Sequence, residues 1–222
     1  MSKVVILRPE PGASATLARA EAMGVEAVAI PLFAVAPVDW ASPDAGDFDA
    51  LLLTSANAVR HGGIQLASLS SLPAYCVGAA TAAAAEAAGL GIADTGKGNA
   101  ADLAERLPTD LRFLHLTGRN HRSVPAVTEI AVYDSVAIDP PPSLDGLTGG
   151  VAMVHSPRAG ARLAELVAER DEDARGKIAI AAISPAAAAA CGTGWRAVQS
   201  APVPSDAALL ELAASLWHKL SA

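Results

Sequence analysis

Short polar stretches that follow apolar runs are where this chain could do chemistry. They are Arg8-Pro9, Thr54-Ser55-Ala56-Asn57, Gly78-Ala79-Ala80-Thr81, Thr117-Gly118-Arg119, His155-Ser156-Pro157-Arg158 and Ser184-Pro185-Ala186. In parallel α/β folds, ligands gather at the carboxyl ends of strands, where helix N-termini present N–H groups with no partner. Candidate ligand contacts on this ground are Arg8, Thr54, Ser55, Ala56, Gly78, Thr81, Gly118, Arg119, Ser156, Pro157 and Ser184. Ser and Thr at such places are also good helix N-caps, so each position reads as a cap or as a ligand contact.

The charges lean towards an anionic ligand. Arg8, Arg119, Arg122 and Arg158 follow predicted strand ends, and Arg60 and Arg162 lie one turn further along. A guanidinium stays charged and grips a carboxylate with two parallel hydrogen bonds. Singly, each arginine reads as a solvated surface residue; jointly they suggest a polycarboxylate. Tyr133, one of only two tyrosines, lies in a predicted hinge strand. Its phenol could donate a hydrogen bond to a departing hydroxide, or it could simply pack at a junction.

Other chemistries lack their residues. Gly91, Gly96 and Gly98 do not have the spacing of a dinucleotide loop, and there is neither a phosphate-binding loop nor a nucleophile elbow. The five histidines never take a metal-ligand spacing and no CxxC occurs, so no metal is expected. Cys76 and Cys191, each among small apolar residues, read as core thiols.

The elements that must position these residues alternate along the chain. Val4 to Leu7 precedes a predicted helix near Ser14 to Met23, Ala50 to Leu53 precedes one starting near Ser55, and Ala74 to Val77 precedes one near Ala79 to Ala88. This order predicts parallel sheets with helices on both faces. The chain also resembles itself. The segment at Ser55 recurs at Ser156 with an offset of 101, and those at Gly78 and Asn99 recur at Ser184 and Ser205 with an offset of 106. Such a period is too long for a solenoid and implies two similar α/β lobes.

Two extended segments, 31–38 and 132–138, are each followed by proline (Pro43, and Pro140 to Pro142). They are expected to form a two-stranded antiparallel linker. One lobe would then comprise residues 1–34 and 140–222, and the other residues 38–131. A cleft between the lobes is the expected ligand site.

Composition bounds the partners. Hydrophobic residues make up 52% of the 222 and aromatics only 4%, so close packing of small side chains is expected. A net charge of −7 with no basic tract argues against nucleic acid. No apolar run approaches the ~20 residues of a membrane span, and the N-terminal run is too short for a secretion signal. The expectation is a cytoplasmic protein, a monomer, with a small-molecule ligand and neither nucleic acid nor membrane as partner.

Val77-Gly78-Ala79-Ala80-Thr81-Ala82 resembles the VGxxTA segment of uroporphyrinogen-III synthases, and Gly98-Asn99-Ala100 with Leu103 resembles the family's GNAxxL. Leu7-Arg8-Pro9, Thr54 to Val59, Val132-Tyr133, His155-Ser156-Pro157 and Ala182-Ile183-Ser184-Pro185 resemble further family segments, in family order over nearly the full length. The resemblance adds Asn99 to the binding candidates and implies a two-lobe, cofactor-free lyase. Such an enzyme cyclises hydroxymethylbilane, a substrate with eight carboxylates, to uroporphyrinogen III, with inversion of ring D through a spiro intermediate. It implies that Tyr133 assists departure of the hydroxyl. The late segment departs from the family's GPxTA, reading Ser184-Pro185-Ala186-Ala187-Ala188, which puts a threonine contact there in doubt. The alternative is a non-catalytic two-lobe binding or regulatory module for a polycarboxylate.

Overall fold

The structure is a computed structural model describing residues 3–96, 103, 106–121, 123–169 and 173–221. The chain forms two compact units, Met1–Ala34 with Val136–Ala222, and Val35–Ser135.

In the first unit, strands β1 (Val4–Ile6), β2 (Ala27–Ala29), β9 (Val151–Val154), β10 (Ala179–Ala182) and β11 (Ala197–Ser200) make one sheet in the order β11-β10-β9-β1-β2. Every pairing is parallel. Strands β1, β9 and β10 are buried along their whole length, as continuous apolar runs require when both faces are covered. Val4, Ile6, Met153 and Ala181 point to one face, packed with residues of helices α1 (Gly12–Ala22) and α6 (Asp206–Ser221). Val5, Val154 and Ile180 point to the other, under α4 (Pro157–Ala168) and α5 (Pro185–Ala190).

Alanine-rich sequence lets these last two helices approach closely. A Cβ added at Gly160 of α4 would stand 2.9 Å from the Ala187 carbonyl oxygen and 2.9 Å from Cys191 Sγ. Hydrogen is all that fits between them.

The second unit carries β4 (Ala50–Leu53), β5 (Ala74–Cys76), β6 (Ile92–Thr95) and β7 (Phe113–Gly118) in a sheet with β3 (Phe33–Pro37) and β8 (Thr128–Ala137). The order is β3-β8-β7-β4-β5-β6. From β8 to β6 the pairings are parallel. Val38 N–H donates to the Val132 carbonyl and Ile138 N–H to that of Leu32, so β3 and β8 run in opposite senses. The expected extended segments 31–38 and 132–138 thus overlap β3 and β8. Here β3 lies at the sheet edge, while β8 begins four residues earlier than expected and pairs on both sides. Leu51, Leu53, Leu114 and Leu116 face a cluster with α2 (Ala56–His61) and α3 (Ala79–Ala87), and Ala50, Leu52 and Phe113 face the opposite side. Among the described residues, no helix is long and apolar enough to cross a membrane.

Candidate functional site

The serines after strands are helix caps. Ser55 Oγ accepts from Asn57 N–H at 3.2 Å, Ser156 Oγ from Ala159 N–H at 3.1 Å, and Ser184 Oγ from Ala187 N–H at 3.3 Å. Accepting these bonds leaves each hydroxyl proton free to donate outward. Pro157 and Pro185 occupy first-turn positions, where a missing N–H costs nothing. Ala56 is the buried first residue of α2, and Gly78, in an extended conformation, precedes α3. Thr81 lies on the buried face of α3 and is only 5% exposed. Asn99 and Arg122 fall outside the described residues.

Tyr133 and Gly118 meet. The register of β7 against β8 shifts between Thr117 and Gly118, pairing Tyr133 with Gly118 and skipping Val132. A shift of this kind re-aims a side chain. It lays the phenol over Gly118 so closely that an added Cβ would fall 2.6 Å from Tyr133 Cε2 and 3.1 Å from its hydroxyl oxygen. Glycine at 118 is the space that the ring occupies. The His61 ring lies beside it, with centroids 6.3 Å apart. Burial, with Arg60 adding to it, lowers the His61 pKa and favours the neutral imidazole. Arg119 is exposed immediately after β7, its N–H bonded to the Tyr133 carbonyl at 2.9 Å. The half-buried Tyr133 hydroxyl has no hydrogen-bond partner among the described residues.

Arg8 is committed within its own unit. Its Nη1 lies 2.8 Å from Asp206 Oδ1, which also accepts from Thr16 Oγ1 at 2.7 Å and lies 2.9 Å from His155 Nε2. Arg19 pairs with the other carboxylate oxygen. Burial raises the Asp206 pKa, but hydrogen bonds from His155, Thr16 and Arg19 and the charge of Arg8 outweigh it, holding the carboxyl below its usual range. Two guanidinium groups against one carboxylate leave this strand end net positive. His155 Nδ1 is buried with no hydrogen-bond partner among the described residues. Arg158, at the start of α4, stacks on Phe33 with its guanidinium carbon 4.9 Å from the ring centroid. Both border an open hollow of about 630 Å³ with Asp139, Arg162 and Glu165.

Sequence reasoning missed a second polar group. His115, in the middle of β7 and 1% exposed, lies with Nε2 2.9 Å from Thr54 Oγ1 and Nδ1 3.1 Å from Glu129 Oε1. Val124 N–H donates to the same glutamate oxygen at 3.0 Å. His121 places Nε2 3.0 Å from Glu129 Oε2 and Nδ1 2.8 Å from the Gly118 carbonyl oxygen. Burial raises the Glu129 pKa, but hydrogen bonds from His121, Val124, His115 and Ser123 bring it down to about 2. For His115, burial is the largest influence and lowers the pKa against the pull of Glu129. The available signal was a histidine inside the apolar run Phe113-Leu114-His115-Leu116.

Comparison with known proteins follows the same lines. The family model described as uroporphyrinogen-III synthase HemD matches residues 14–211. A crystal structure of uroporphyrinogen-III synthetase from Helicobacter pylori is similar over 97% of this chain and 100% of that one, with 18% identity and a TM-score of 0.64. A mutant uroporphyrinogen III synthase from Thermus thermophilus covers 98% of this chain and 100% of its own, with 18% identity and a TM-score of 0.48. No curated protein matches in sequence.

Proposed function

This chain belongs to the uroporphyrinogen-III synthase family, lyases that cyclise hydroxymethylbilane, and from that premise we propose how its residues perform the reaction. The non-catalytic alternative is not favoured. Unaided, the linear tetrapyrrole closes to the wrong isomer, so the protein's work is chiefly to orient the chain before it closes. The polar strand ends supply the grip: the outward hydroxyl protons of Ser55, Ser156 and Ser184, the N–H groups at the starts of α3 and α4, and the exposed guanidinium of Arg119. Arg8 contributes as part of the net positive cluster on Asp206 rather than as a free clamp.

Chemistry begins with loss of the ring A hydroxyl, which leaves an azafulvenium cation. Ring D attacks through its substituted carbon to give a spiro intermediate, which fragments and recloses with ring D inverted. Tyr133 is the proton donor to the departing hydroxide. The proton it gives is matched by the one the pyrrole carbon releases at reclosure, so only water is lost overall. A neutral His61 beside the phenol adds no positive charge where the cation forms.

The observation that carries this reading is the Tyr133 phenol seated on Gly118 with its hydroxyl unpartnered among the described residues. Replacing Tyr133 with Phe keeps the ring and removes the proton. Turnover of hydroxymethylbilane should fall by about 10²-fold with KM little changed, the scale of one general acid. An unchanged kcat would remove Tyr133 from the chemistry. We also propose that the enzyme acts as a cytoplasmic monomer, with neither nucleic acid nor membrane as partner; the net charge of −7 without a basic tract supports the part that concerns nucleic acid.

A further inference from the structure

One buried ring decides what Thr54 can offer a ligand. An ionised carboxylate has no proton to give, so Glu129 can only accept from its neighbours. The His115 nitrogen facing it, Nδ1 at 3.1 Å, must therefore carry a hydrogen. With only 1% of the side chain exposed, His115 is held neutral, and its other nitrogen is a bare lone pair. Thr54 Oγ1, 2.9 Å from that nitrogen, must then be the donor. A hydroxyl has a single hydrogen, and this one is spent inward. His121, which also faces the His115 ring at 5.8 Å, does not compete, because its nitrogens meet the Gly118 carbonyl and Glu129.

We propose that Thr54, at the carboxyl end of β4, is a hydrogen-bond acceptor for a pyrrole N–H of the substrate, with His115 and Glu129 as the positioning residues that fix its polarity. The proposal rests on the family activity and gives a polarity to Thr54, which the sequence marked only as a ligand contact. A carboxylate needs donors, and against the lone pairs of Thr54 it would be repelled. A pyrrole N–H is the donor that every ring of the substrate carries. Ser55, one residue on, has the opposite polarity, since its oxygen accepts from Asn57 and its proton is free. Two adjacent hydroxyls therefore read different groups: Thr54 a ring nitrogen, Ser55 an acceptor oxygen.

The test combines a spectrum and a rescue. In protein labelled with ¹⁵N-histidine, at neutral pH and without substrate, His115 should show a protonated Nδ1 and an unprotonated, hydrogen-bonded Nε2. Thr54→Val should move the Nε2 resonance and lower kcat/KM for hydroxymethylbilane about tenfold, the scale of one hydrogen bond. Thr54→Ser should restore both. A proton on His115 Nε2 would overturn the proposal, as would Thr54→Val with wild-type kcat/KM. The spectrum needs only the wild-type protein, so a variant that fails to fold leaves it decisive. Wild-type protein that does not convert hydroxymethylbilane would refute the family activity instead, while the tautomer would still decide the polarity of Thr54.

Discussion

Asp206 shows how one side chain can organise a strand end. It gathers Arg8, Arg19, Thr16 and His155, and its carboxyl titrates below the usual range. Because the folded carboxyl titrates below the unfolded one, its stabilisation is complete above the unfolded value of about 3.9 and is lost as the pH falls towards the folded value. Asp206→Asn should cost about 2 kcal/mol at neutral pH; this is less than a fully buried pair is worth, since the side chain keeps 18% exposure. The variant should lose less stability than the wild type between about pH 4 and the acid limit, because only the Asp206 share is removed. Chemical denaturation across that range measures both, and parallel pH profiles for the two proteins would contradict the assignment. None of these partnerships is readable locally. Arg8 and Asp206 are 198 residues apart, and Thr54 and His115 are 61 apart. Strand register and helix placement bring them together, whereas the three capping serines were legible because a cap acts on its own next turn.

At the scale of elements, the order of strands and helices was readable because buried parallel strands are continuous apolar runs and their helices begin at Ser, Pro or Gly. The recurrence of β4–α2 as β9–α4, and of β5–α3 as β10–α5, follows the internal repeat. The length of β8 was not readable: Thr128-Glu129 places two polar residues together ahead of Ile130, and only pairing with β7 shows that Glu129 faces His115. Nor does the sequence show how closely α4 and α5 approach. On helix propensity alone, Gly160→Ala should stabilise by about 1 kcal/mol. The contact with the Ala187 carbonyl predicts the opposite sign, because overpacking costs about 1–3 kcal/mol and backbone cannot turn aside. A lowered denaturation midpoint is expected, and a raised one would show that the helices separate freely.

For the molecule as a whole, each unit has a polar residue at the end of a parallel strand, Arg8 or Thr54, bound to a histidine–carboxylate pair. In the first unit this is His155 with Asp206, and in the second it is His115 with Glu129, reached through Thr54. The repeat aligns His155-Ser156 with Thr54-Ser55, so corresponding places in the two units carry polar groups of different character. The most direct measurement is the isomer composition of the product. Hydroxymethylbilane is incubated with wild-type protein and with Tyr133→Phe over a range of enzyme concentrations, the products are oxidised, and the uroporphyrin isomers are separated. Isomer III should replace isomer I as wild-type enzyme increases, and the variant should also give isomer III, more slowly. Isomer I alone at every concentration of wild-type protein would contradict the account.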